Sequence, residues 1–162
     1  MPQAVPPLWQ PASARSVALE GLLPLPRGVI PTDLPPLVWP TKDPGDVLDY
    51  SLDLSAALAG DPTDQVVSIA VTTQPGGGVG DLVAGRMVAS GTTAVVWFSA
   101  GVPGTTYSVQ LSVGTLNGRV IGRSVLLPVQ TLAAVAPPAN PLTTDAGAIV
   151  TDQNGNPILI SS

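Results

Sequence analysis

Eleven of the nineteen prolines in this 162-residue chain fall within residues 1–46. No other feature constrains the fold as much. Proline lacks a backbone donor and fixes φ near −65°, so it ends helices and stays out of central strands. Residues 1–46 are therefore expected to be extended. They do not read as an ordinary linker, because disordered linkers are poor in bulky apolar residues and this segment carries two tryptophans and many leucines. A proline-rich arm of that kind is expected to lie along another surface, with Leu8, Trp9, Leu37 and Trp39 as its partner-binding anchors. "PPLW" at Pro6–Trp9 is echoed by "PPLVW" at Pro35–Trp39, which fits either two similar anchor points or recurrence in a biased composition.

From residue 47 the character changes. β-Branched residues, alternation and glycine-containing turns replace the prolines, and strands are predicted near 47–54, 66–73, 82–90, 92–100, 105–114 and 119–130. In "VVSIAVTT", Val67, Ile69 and Val71 share a face; in 105–114, Tyr107, Val109, Leu111 and Val113 do. Asn-Gly in "LNGR" (Leu116–Arg119) signals a hairpin with a type I′ turn, and "SGTT" and "AGVPGTT" supply two further turns. Short strands in this number, with no helical period long enough to cross over, predict an all-β fold: an immunoglobulin-like antiparallel sandwich over 47–131, with a small barrel as the second possibility.

Charges make up 10% of the chain, yet "DVLDYSLDLS" (Asp46–Ser55) holds three aspartates. Leu48, Tyr50, Leu52 and Leu54 alternate with Asp49, Ser51 and Asp53, the period that puts apolar and polar side chains on opposite faces of a strand. The aspartates then form the outer face of a strand. A calcium site is the competing reading, since Asp61 and Asp64 follow closely and oxygen clusters suit that ion. "PGGGVGDL" (Pro75–Leu82) lacks the Gly-Lys-Ser/Thr ending and the following helix of a phosphate loop, so it reads as a turn between strands.

Composition removes most chemistry. The chain has no cysteine and no histidine, which excludes disulfides, thiolate metal sites, cysteine nucleophiles and the usual neutral-pH base. Lys42 is the one lysine and sits at a predicted boundary, poorly placed for the burial a catalytic lysine needs. Asp49 and Asp53, four apart on a strand, would be about 13 Å apart, beyond the roughly 5–9.5 Å of glycosidase pairs. No cofactor is expected. The net charge of −5 without a Lys/Arg run argues against direct nucleic-acid binding. No apolar stretch reaches the ~20 residues of a membrane span, and "MPQAVPPLWQ" does not read as a secretory signal.

Residues 132–162 open with the linker-like "AAVAPPANP". A small theme then recurs, Thr144-Asp145-Ala-Gly147 and Thr151-Asp152-Gln-Asn-Gly155. A hairpin is expected with its turn at Asp152–Asn156, flanked by Ile149-Val150 and Ile158-Leu159-Ile160. Because an isolated hairpin is marginal in water, Ile149, Val150, Ile158 and Ile160 are expected to meet a partner sheet or the sandwich.

"KDPGDVLDYSLDLSAALAGD" (Lys42–Asp61), followed by "VVSIAVTT", "SGTTAVVWFSAGVPGTTYSVQLSV" and "NGRVIGRSVLLPV", resembles the small β-sandwich proteins of tailed bacteriophages described as fibre-tail adaptor or neck and tail accessory proteins. The resemblance covers about residues 42–130. It implies a virion component assembled in the host cytoplasm, present in several copies, docked on a neck or tail ring and offering a site to fibres. It implies no catalytic residues. The alternative function is a carbohydrate-binding sandwich with Trp97 and Tyr107 as its candidate stacking platform, although both read first as core residues and in "AVVWFSA" Trp97 alternates with Val96 and Phe98, so that one aromatic faces in and the other out; a carboxylate-based hydrolase is the third.

Overall fold

A computed structural model of the protein describes residues 9–19, 35–133 and 142–158. A 3-10 turn at Ser13–Arg15 leads into β1 (Ser16–Ala18); β2 (Leu37–Val38), β3 (Leu48–Asp53), β4 (Val66–Gln74), β5 (Val83–Ser90), β6 (Thr93–Ser99), β7 (Thr105–Thr115) and β8 (Val120–Val129) follow. They form two four-stranded sheets, ordered β1-β3-β6-β5 and β2-β8-β7-β4. The six longer strands coincide within a residue or two with those predicted from alternation and turn signals; all but β5 bury residues in the core. Two separate sheets exclude the barrel. Within each sheet, β3-β6-β5 and β8-β7-β4 pair antiparallel, as in an all-β sandwich. Tyr107 adds a local resemblance: its hydroxyl accepts the Val102 amide at 2.9 Å and donates to Asp81 Oδ1 at 3.0 Å, as in a tyrosine corner.

The core lies between the sheets. Tyr50, Leu52, Val96, Phe98, Val109, Leu111, Val125 and Leu127 point into it from alternate positions, so each strand contributes every second residue. Trp39 joins them at 1% exposure, with ring centroids 5.5 Å from Tyr50 and 5.8 Å from Phe98. Its indole N–H donates to the Ser51 carbonyl at 2.9 Å, and its backbone N–H to Leu126 O at 2.9 Å.

The described parts of the proline-rich segment are thus built into the sandwich. β1 pairs in parallel with β3, and β2 in parallel with β8. Leu19 is buried in the core, and Leu37 packs partly buried against it. These two strands escaped sequence reading because neither is long enough to show alternation. They are three and two residues long and take their register from neighbours far along the chain.

The turn at "LNGR" differs from the predicted two-residue I′ form. Gly118 N–H bonds to Thr115 O and Thr115 N–H to Arg119 O, and Gly118 has the positive φ of 81°. This is a three-residue loop with a glycine bulge, held by Asp64, which accepts the Asn117 amide at 3.0 Å and the Thr115 hydroxyl at 2.9 Å.

Residues 133–162 form a second compact unit. Where one hairpin was expected, its described residues make two, bridged at Thr143–Ile149 and Thr151–Pro157. Their turns are equivalent at a spacing of eight: Gly147 N–H to Thr144 O and Gly155 N–H to Asp152 O, with φ of 81° and 82° at the two glycines. Leu142, Val150 and Ile158 then close a ring: Leu142 N–H to Ile158 O, Val150 N–H to Leu142 O, Ile158 N–H to Val150 O, at 2.8–3.0 Å. Each uses both of its backbone groups there, so a short segment gains sheet-like closure with no open edge at the ring.

Candidate functional site

The outer face of the β1-β3-β6-β5 sheet gathers most of the chain's unusual side chains. Alternation turns Asp49, Ser51 and Asp53 of β3 outward beside Trp97, Val95 and Thr93 of β6. A strap, Trp9–Arg15, crosses this face. Trp9 meets Trp97 with centroids 4.8 Å apart and rings tilted by 41°, and Arg86 lies 5.1 Å from the Trp97 centroid, a cation–π distance. The Ala12 amide donates to Asp49 Oδ2 at 3.0 Å, Arg15 Nε to the Asp49 carbonyl at 2.7 Å, and the Arg15 guanidinium pairs with Asp49 Oδ1. Burial pushes the Asp49 carboxyl up, but the Ala12 amide and Arg15 outweigh it and hold its pKa below the ordinary aspartate value.

Asp49 and Asp53 therefore sit on the outer face of β3 as the period of two dictates, while Asp46 precedes the strand, and Asp49 is engaged by a guanidinium. Among the described residues no cluster of three or more carboxylate, histidine or cysteine side chains is placed to hold a metal ion. Asp61 and Asp64 instead clamp the β7–β8 turn: both pair with Arg119, and Asp61 also accepts Thr63 Oγ1 at 2.9 Å and Asn117 Nδ2 at 2.8 Å.

At the opposite end of the sandwich, Lys42 is wholly buried. Its ammonium donates to the carbonyls of Asp43 at 2.7 Å and Ala100 at 2.9 Å. Desolvation lowers its pKa, partly offset by Asp46 and Asp43. It ties the segment before β3 to the β6–β7 turn, where Ala100 takes a φ of 56°. Sequence reading placed Lys42 at an exposed boundary. Its burial follows from pairing with β8: Lys42 N–H to Pro128 O, Gln130 N–H to Lys42 O.

Of the residues expected to bind partners, Trp9 is 43% exposed and stands on the outer sheet face. Trp39 is corrected: it fills the chain's own core, since only there does its ring escape water while its N–H finds a carbonyl. Leu37 is half-buried against that core. Ile149 and Ile158 are exposed and Val150 is half-buried in the second unit. Leu8 and Ile160 lie outside the described residues. The aromatic platform is corrected as well: Tyr107 is fully buried, while Trp97 faces outward.

A family model described as "Podophage GP4 fiber-tail adaptor protein gp77" matches residues 42–128. The chain belongs to that family. It is a structural adaptor of a tailed phage. The match to the fibre-tail adaptors begins at Lys42 and ends within β8, so it takes in β3–β8 with the Lys42 clamp and leaves out the strap, β1, β2, Trp39 and the second unit. No curated protein matches the sequence.

Proposed function

We propose that this fibre-tail adaptor docks on the neck or tail ring of a podophage particle in several copies and links that ring to fibres. The observation that carries the reading is the family match over residues 42–128, which takes in the six longer strands of the sandwich. The described surface supports binding over chemistry: Asp49, Asp61 and Asp64 are held by arginines and further hydrogen bonds, and the one lysine is buried as a structural clamp. Contacts are proposed through exposed apolar residues on the segments that flank the family match, Trp9 before it and Ile149 and Ile158 after it. Other phage structural proteins are the proposed partners, with no direct role for nucleic acid or membrane, and assembly is placed in the host cytoplasm. Among the described residues no helix is long and apolar enough to cross a membrane.

The test is to purify particles from cells infected with a phage lacking this gene. Particles with tails but without fibres, restored by supplying the protein, are the expected result, together with a fixed copy number in wild-type particles. Fibre-bearing particles made without it would overturn the adaptor role here.

A further inference from the structure

The strap and the sheet face beneath it enclose an open cleft of about 420 Å³. Ser13 and Ser16 line it from the strap side, Ser51 and Asp53 from β3, and Ser90 and Thr93 from the β5–β6 turn. The lining offers five hydroxyls and a carboxylate, and no lining residue is cationic. Ser51 forms its floor. That residue is 1% exposed, and its hydroxyl has no hydrogen-bond partner among the described residues. Because Ser51 alternates with the core-facing Tyr50 and Leu52, its side chain is directed to the cleft side of the strand. A buried hydroxyl left unpaired costs about 1–3 kcal/mol and calls for an explanation. Pro11 and Ala12 add an apolar stretch to the strap side of the lining.

We propose that this cleft binds a neutral saccharide. Sugar hydroxyls both donate and accept, so they match a wall of serine and threonine hydroxyls, and one of them would satisfy Ser51. Asp53 accepts from a sugar hydroxyl while repelling anions, which find no cation here to offset it. Pro11 and Ala12 supply the apolar surface on which the C–H face of a pyranose ring packs. The adaptor role does not depend on this site, and either reading stands if the other fails.

Isotope-labelled full-length protein is titrated separately with glucose, galactose, mannose and N-acetylglucosamine, and with citrate as the anionic comparison, following backbone amide resonances. Saturable shifts centred on Ser51, Asp53, Ser90 and Thr93 are expected for at least one sugar. Ser51→Ala is expected to weaken that sugar about tenfold without lowering the thermal midpoint of the free protein, because the hydroxyl it removes has no partner there. The proposal is overturned if none of the four sugars saturates, if citrate binds the same residues more tightly, or if Ser51→Ala binds the sugar as well as wild type. A Ser51→Ala protein that is less stable when free also overturns it, since the hydroxyl would then be satisfied without a ligand.

Discussion

Asp64 is 1% exposed, and its two oxygens accept from the Thr115 hydroxyl and the Asn117 amide while pairing with Arg119. Burial pushes its carboxyl up, but these donors win and its pKa falls below the ordinary value. Asp61 beside it is brought down to about 2 by Thr63, Asn117 and Arg119. Folded values below unfolded ones mean that the unfolded chain binds protons first as pH drops, so this stabilisation is complete above about pH 4 and lost toward pH 2. Thermal midpoints measured across that window should fall steeply for wild type and more gently for Asp61→Asn. Tyr50 gives the opposite kind of expectation. Its hydroxyl is buried without a partner, and burial raises its pKa to about 12. Tyr50→Phe should therefore leave the thermal midpoint unchanged or raise it; a clear drop would mean that the hydroxyl is bonded. The outward facing of Asp49 and Asp53 was legible from the period of two. Their partners were not, because Arg15 reaches Asp49 only after β1 has chosen its place beside β3, and nothing in the local sequence encodes that choice.

At the scale of elements, the six longer strands could be read from alternation and turn signals. The two short ones could not. Proline density correctly marked Pro-rich residues as unfit for long strands, yet "extended" was compatible with lying along the chain's own sandwich as much as along a partner, and Trp39 decided for the former. Trp39→Ala should cost about 3–5 kcal/mol, the range for emptying a large aromatic from a core, measured by denaturant unfolding. The strap is held more lightly, by one ion pair, a few hydrogen bonds and one tryptophan contact. Arg15→Ala should speed hydrogen exchange at the Ala12 and Leu19 amides while leaving those of β7 and β8 slow. In the second unit, sequence reading found the repeated theme but joined it into one hairpin. Both glycines sit at positive φ, so Gly155→Ala strains its turn. It should release the Leu142, Val150 and Ile158 amides to fast exchange together, since each bond in the ring depends on the other two segments.

For the whole molecule, the family match and the folded unit differ in extent. Residues 42–128 cover the six long strands, short of the last residue of β8, but omit Trp39, Leu19 and the short edge strands β1 and β2. A truncated chain of residues 42–131 should therefore unfold at a lower temperature than one of residues 9–132, and with a shallower transition, as followed by circular dichroism; equal midpoints would show that the leading segment adds nothing to the sandwich.

The pairing of β2 with β8 also sets an order in time. A ribosome delivers Leu37, Trp39 and Lys42 early, but the carbonyls and amides they meet belong to Val125–Gln130, near the last strand to emerge. Until then the indole that completes the core has no sheet to enter and stays available to chaperones or to other nascent copies. Leu37–Lys42 are fixed in place only once β8 has been made, although β1, earlier in the chain, already has its partner in β3.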